Sequence, residues 1–281
     1  MLFLVFFFLL FFSFVNFCVL DYVVWWSVFV VCTFFFVFLF KLVGFGCLIN
    51  YYVIQEVCGY YFLVFDNWKF QFFILMLKSG SAPFHFWLFS VLSGMKGWFV
   101  LCFLTLQKLP YFFVLVNFCS DFFFCFLFFG LLFCYLHFFL VRSYFDILVL
   151  SSTESFNWLL FLGIFSFNDS FFLVFFYYFV MFLVISYVYS SGVFSFFVLE
   201  MVMVFFNVPM SVTFFLKILL FFSSVVFVGF YYLFLLFFMV LMSLSVGYLF
   251  FLFSMRVYNV GFKCYDYFFY VLFCVGFFCY L

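Results

Sequence analysis

Residues 1–20 contain no charged side chain, and neither do residues 22–40 or 122–141. Uncharged apolar runs of this length constrain the fold more than any other feature of the chain. About 20 residues of α-helix match the hydrocarbon thickness of a bilayer. The runs do not alternate: FLVFFFLLFF, residues 3–12, is apolar at every step, whereas a membrane β-barrel needs polar lumen positions between its lipid-facing ones. The 281 residues are 74% hydrophobic and 6% charged, with a mean hydropathy of +1.52. That is too little charge to cover a surface facing water. The expected fold is an all-α polytopic membrane protein with about 10–11 transmembrane helices, forming a single integral membrane domain over residues 1–281.

Composition excludes several function classes. The net charge is zero, so no nucleic-acid partner is expected. The eleven cysteines are scattered, without CxxC or a Cys/His cluster, and read as small lipid-tolerant residues rather than metal ligands or a disulfide framework. The first apolar stretch lacks a basic n-region and a small-residue cleavage site, so it reads as a span and not as a cleavable signal. The 71 phenylalanines, against a single alanine, are what a T-rich coding strand produces where only hydrophobicity is selected. T-rich compact genomes are typical of mitochondria.

The rare charges divide the chain into candidate spans at roughly 2–20, 22–40, 47–65, 70–90, 97–117, 122–141, 147–166, 171–190, 193–222, 225–255 and 267–281. Connections this short place sequence neighbours antiparallel. The ninth and tenth spans are long enough to tilt or break. Even-numbered connections hold Lys41, Lys96, Arg142, Arg256 and Lys263; odd-numbered ones hold Asp21, Asp66, Lys69, Asp121 and Asp169. Basic residues gather on the cytoplasm-equivalent side of a membrane, which in a mitochondrion is the matrix. Eleven spans put the N-terminus on that side and the C-terminus on the other.

The charged and histidine residues outside the connections are Lys78, Lys108, Lys217, Glu56, Glu200, His85 and His137, with Asp146 and Glu154 in or near the seventh span. A lysine at the bilayer centre costs about 2.5–3.5 kcal/mol on insertion scales, so three facing lipid would cost roughly 8–10 kcal/mol. They must face a bundle interior, paired or hydrated. Each of the three prolines lies near one of them: Pro83 follows Lys78, Pro110 follows Lys108, and Pro209 precedes Lys217. Proline breaks the helix ladder, and at membrane depth a break is tolerated only where protein or water satisfies the freed groups. Discontinuous helices of this kind build ion pathways near the midplane. Burial disfavours an ammonium, while a nearby carboxylate or water favours it. A lysine tipped either way can take up and release a proton, as arginine cannot. The candidate proton relay is Lys78, Lys108, Lys217, Glu56 and His85.

A blander alternative accompanies each assignment. A lysine near a span end can snorkel to the interface. Glu56, in NYYVIQEVCGYY, could be interfacial, and His85 could satisfy backbone freed by Pro83 as readily as hold a proton. His137, near a span end, reads as interfacial. A bis-His haem site needs paired histidines on facing helices, and two histidines cannot make two such sites. Nucleotide and flavin fingerprints are absent. No cofactor and no metal is expected.

The segment KSGSAPFHFW, residues 78–87, resembles the K-x-G-x-x-P-F-H-x-W signature of the subunit 2 family of respiratory complex I, the NADH–ubiquinone oxidoreductase. LTLQKLPYF, residues 104–112, is similar to that family's T-W-Q-K-L-A-P motif. PMSVTFFLK, residues 209–217, resembles P-P-L-T-G-F-L-P-K, with the same step from proline to lysine. NYYVIQ, residues 50–55, resembles K-Y-F-L-T-Q, and DILVLSS, residues 146–152, faintly matches R-K-I-L-A-Y-S-S. The resemblance implies an antiporter-like fold with proline-broken helices. Lys78 matches the switched lysine of the channel, Lys108 the central-axis lysine, Lys217 the exit-side lysine and His85 the motif histidine. The length matches the short animal form. One departure stands out: the family's glutamate in W-x-x-x-E of the second span is missing, since Tyr22–Phe40 holds no acid. Glu56, in the next span, is the expected substitute.

The resemblance implies a core membrane-arm subunit of mitochondrial complex I, multi-pass in the inner membrane. It would translocate protons as electrons pass from NADH to ubiquinone, with no redox centre in this chain. Partners would be the other complex I membrane-arm subunits and inner-membrane lipids. A cation/proton antiporter subunit of the same fold, and a non-pumping spacer with vestigial lysines, are the alternatives.

Overall fold

The structure, a computed structural model, describes residues 2–39, 44–95, 98–140, 144–166, 170–179, 217–218, 222, 235–242 and 244–245. Among these residues the regular structure is entirely helical. Side chains apolar on every face leave the backbone as the main polar element, and a helix satisfies it internally. The first three apolar stretches form α1 (Leu2–Cys18), α2 (Tyr22–Leu39) and α3 (Phe45–Val64). The fourth is split into α4 (Trp68–Ser79) and α5 (Phe86–Leu92). The fifth is split at a 3₁₀ turn, Leu106–Lys108, into α6 (Trp98–Thr105) and α7 (Leu109–Phe118). α8 (Phe124–Leu140) and α9 (Tyr144–Phe165) follow, and Ser170–Phe179 is helical again. These bounds sit within a few residues of the first seven expected spans; Ser170–Phe179 matches the start of the eighth, whose residues 180–190 lie outside the described residues. The ninth to eleventh spans lie outside the described residues, apart from 217–218, 222, 235–242 and 244–245.

Connections close locally. The Trp25 indole N–H of α2 donates to the carbonyls of Asn16 (3.0 Å) and Val19 (2.7 Å) at the end of α1. The Asn67 side chain caps α4, accepting from the Lys69 amide at 3.1 Å. Asp21, Asp66 and Asp121 are all exposed at connections, as the division by charge anticipates. Lys69 lies in the first turn of α4, its ammonium 4.1 Å from the centre of the Phe122 ring.

α7 and α9 are the central elements: α1, α2 and α4 pack on α7, and α5, α7 and α8 pack on α9. Close aromatic contacts fill the interior, as between Phe72 and Phe123 with ring centres 3.8 Å apart. Such pairs contribute about 0.5–1.5 kcal/mol beyond area burial. The outer surface is equally apolar. Phe7, Phe11, Phe38, Val64, Phe70, Phe129, Phe133, Leu140 and Phe172 are exposed, as suits a hydrocarbon surrounding better than water. Asp121–Leu140 and Leu148–Phe165 are each long and apolar enough to cross a membrane.

Candidate functional site

The site begins where the fourth apolar stretch breaks. α4 ends on Gly80, whose φ of +64° is left-handed; a Cβ there would also lie 2.7 Å from Leu88. Only glycine fits both restraints. The chain then runs through a cis Ala82–Pro83 peptide to His85, which opens α5. Several carbonyls freed by the break find donors. The amide and hydroxyl of Ser81 donate to Met76 O at 3.0 and 2.9 Å. The Trp87 indole donates to Leu77 O at 2.9 Å, and the Gln55 amide donates to Lys78 O at 2.9 Å. Asn157 of α9 donates to Ala82 O at 3.3 Å. α8 approaches so closely that a Cβ on Gly130 would fall 2.6 Å from the Ala82 carbonyl oxygen. The break is thus held from α3, α8 and α9 at once, which is the condition for irregular backbone inside a membrane.

Lys78 ends α4 fully inside the protein, 1% exposed. Its ammonium lies 5.0 Å from the Phe29 ring centre and 5.9 Å from that of Tyr111, within cation–π range. Phe29 stands four residues after Trp25, one of the two places where W-x-x-x-E would set its glutamate. Glu56 is half-buried on α3 and accepts from the Thr33 hydroxyl of α2 at 3.3 Å. Among the described residues the Glu56 carboxylate and the Lys78 ammonium make no ion pair; the carboxylate acts on the ammonium from beyond contact. Gly59, one turn further along α3, leaves the space beside Nζ open.

Between Lys78 and Lys108 lies a buried polar ladder. Tyr111 donates to Gln55 Oε1 at 3.2 Å, and Gln107 donates to the Tyr51 hydroxyl at 2.7 Å. Residues 51 and 55 are one helical turn apart, as are 107 and 111, so the rungs run in parallel register. A third and a fifth span must run parallel if successive spans alternate in direction. Lys108, in the 3₁₀ turn before Pro110, is buried; it donates to Ser152 Oγ at 3.2 Å and lies 5.4 Å from the Phe156 ring centre.

The receiving helix, α9, carries a polar run at its middle. Ser151, Ser152, Thr153, Glu154, Ser155 and Asn157 are all buried. The Ser151, Ser152 and Thr153 hydroxyls donate back to carbonyls three residues earlier at 2.8–2.9 Å. That spends their protons and leaves lone pairs for cations. Glu154 forms an ion pair with Lys217 and accepts from the Tyr135 hydroxyl and the Trp158 indole. Lys217, 1% exposed, also donates to Met242 Sδ at 3.2 Å. At the other end of the site, the fully buried His85 places Nε2 at 3.3 Å from Nδ1 of His137, in the last turn of α8.

No family model matches the chain. It is 43% identical over 216 residues to NADH-ubiquinone oxidoreductase chain 2 of Ascaris suum, covering 75% of this chain and 70% of that protein. It is 38% identical over 212 residues to the protein of the same name from Caenorhabditis elegans, covering 75% of each. The chain belongs to the NADH-ubiquinone oxidoreductase chain 2 family.

Of the five residues read from the sequence, Lys78, Lys108, Lys217 and His85 are buried and Glu56 is half-buried. The family motif of residues 78–87 acquires a structural account: the lysine ends α4, the glycine turns, the proline follows the turn, the histidine opens α5 and the tryptophan caps a freed carbonyl. Two residues fell outside the sequence-derived set. Glu154 is the contact partner of Lys217, and its signal was an acid inside SSTESFN, a polar run in an apolar span. His137, read as interfacial, is half-buried and bonded to His85.

Proposed function

We propose that the chain is a core membrane-arm subunit of mitochondrial complex I, moving protons across the inner membrane while electrons pass from NADH to ubiquinone. In this reading it is multi-pass, with about 10–11 spans in one antiporter-like domain over residues 1–281, set among other membrane-arm subunits and inner-membrane lipids. The names of the two relatives supply the enzyme; oxidation of NADH belongs to other chains of it. One observation supports the proton path above all. Three buried lysines lie along one band of buried polar side chains, two of them where helices break.

Their surroundings differ in a way that suits transfer. Lys217 is locked to Glu154, whereas Lys78 and Lys108 have no carboxylate in ion-pair contact among the described residues. Moving a proton along the row changes which charges are balanced, and so couples the stations to one another. Glu56, held by Thr33, acts on Lys78 at a distance and serves as the family's second-span glutamate would. The Phe29 ring replaces that glutamate's contact. Gln55, Tyr111, Tyr51 and Gln107 offer hydroxyl and amide groups between the first two lysines.

Lys78→Met and Lys108→Met in the intact complex, reconstituted in liposomes, test the path. Removing a proton-transfer group costs about 10²–10⁴-fold, so flux through this chain should fall at least about a hundredfold. The protons delivered per NADH should fall by this chain's share. Unchanged pumping in both variants would instead support the spacer alternative. Co-migration of the chain with NADH dehydrogenase activity on a native gel separates the complex I subunit from a free antiporter.

A further inference from the structure

A second row of protonatable groups approaches Lys108 from the end of α8. His137 is half-buried in the last turn of that helix. Its Nδ1 meets Nε2 of His85, and the Nδ1 of His85 is buried without a well-formed hydrogen bond. Phe86 and Phe89 line both imidazoles, with ring centres 4.7 and 5.8 Å from His85 and 5.6 and 5.2 Å from His137. Among the described residues, the charged groups acting on the pair are Lys108, toward His85, and Asp146 at the start of α9, toward His137. Among the described residues no third His, Cys, Asp or Glu joins the pair to complete a metal site.

We propose that His137 and His85 are the proton inlet of this chain, taking protons from the aqueous face at the end of α8 and passing them toward Lys108. The proposal rests on the translocation reading above and supplies what that reading lacks. Lys78, Lys108 and Lys217 are 1%, 3% and 1% exposed, so none of them opens to the surface of the protein. His137, half-buried in the last turn of α8, is the histidine of the pair that reaches the surface. The connection after α8 carries Arg142, which places that end on the matrix side by the positive-inside rule.

The chemistry balances without a co-reactant. Neutral His137 carries its proton on Nδ1 and donates it to Nε2 of neutral His85, which carries its own on Nδ1. A proton binding at His137 Nε2 lets the Nδ1 proton cross to His85 Nε2. The resulting His85 imidazolium releases its Nδ1 proton inward, to Lys108 at the moment when that side chain is the neutral amine, which becomes the ammonium. One proton enters, one leaves, and both rings end neutral in the opposite tautomer; ring rotation resets them.

The intact complex in liposomes, carrying His137→Ala, tests the inlet. Proton flux through the chain should fall about a hundredfold, lowering the protons pumped per NADH. Added imidazole, filling the vacated position, should raise the flux at least about tenfold, with recovery following the neutral imidazole concentration. Lys108→Met should lose pumping without such rescue. Full pumping by His137→Ala alongside loss in Lys108→Met overturns the inlet and leaves the translocation reading standing. Full pumping in both overturns the translocation reading itself. A loss in His137→Ala that imidazole does not repair assigns His137 to packing and overturns the inlet. Should the alanine variant fail to assemble, His137→Gln keeps a partner for His85 but cannot carry a proton through. It is expected to assemble and to lose flux; pumping at the parental level would overturn the proposal.

Discussion

Exchanging Glu154 for glutamine is expected to reduce both the amount of assembled complex and its proton flux. The substitution keeps shape and an acceptor for Tyr135 and Trp158 and removes only the charge. Lys217 is then left as a buried ammonium, 1% exposed, with Met242 sulfur and the Trp158 ring beside it instead of a carboxylate. Breaking a buried pair by removing one partner costs about 3–5 kcal/mol, enough to change the steady-state abundance of a subunit several-fold. The double variant Glu154→Gln/Lys217→Met separates the two effects. Replacing both ends of a buried pair by neutral groups is often close to neutral for stability, so abundance on a native gel should recover toward the parent. Proton flux should not recover, because the proposed exit-side station is gone. A single variant that assembles and pumps normally would mean that the Lys217–Glu154 contact has no part in either.

The helices were legible because the chain offers so few polar residues that each one marks something. The division at Asp21, Lys41, Asp66, Lys69, Lys96, Asp121 and Arg142 anticipated α1 to α9 to within a few residues, and the Lys–Pro pairs located both helix breaks that the described residues contain. Pairwise chemistry was harder to read. The contact of Glu154 with Lys217 joins residues far apart in the chain, and so does that of His85 with His137. Apolar periodicity fixes neither, since a helix with apolar residues on every face carries no stripe to say which side looks inward. The expected pairing of Glu56 with Lys78 shows the same limit. Both residues lie at the α2–α3–α4 junction, but Thr33 takes the carboxylate and Phe29 takes the place under the ammonium. What could be seen in sequence was the buried polar run Ser151–Asn157. Six of its seven side chains are polar in a chain that is 74% hydrophobic, which marks the middle of α9 as an interior surface.

Gly130→Ala should be the most damaging substitution that removes no functional group. In a bilayer, helices are not driven together by the hydrophobic effect, so close packing at small residues holds them. This chain has one alanine, Ala82, and its carbonyl is what Gly130 faces. A methyl at 130 would lie 2.6 Å from that oxygen, 3.0 Å from its carbon and 3.2 Å from Asn157 Nδ2. The first two are backbone atoms, and the third is the end of a side chain already bonded to that same carbonyl. The carbonyl belongs to the break after Gly80, held by Asn157, and Asn157 is itself fully buried. Overpacking of this kind costs about 1–3 kcal/mol, and losing the Asn157 bond to a buried carbonyl adds about 1–3 kcal/mol. The movement that relieves the clash must pull α8 away from the break, or push the break toward α3. Either shift parts His137 from His85 or moves Lys78 against Gln55. The variant is therefore expected to assemble several-fold less, and what assembles should pump fewer protons per NADH. Gly46→Ala is the matching control: nothing lies within 4 Å of a Cβ there, and alanine is favoured over glycine in a helix by up to about 1 kcal/mol. Equal abundance and pumping in the two variants would show that the α8 contact does not hold the break in place.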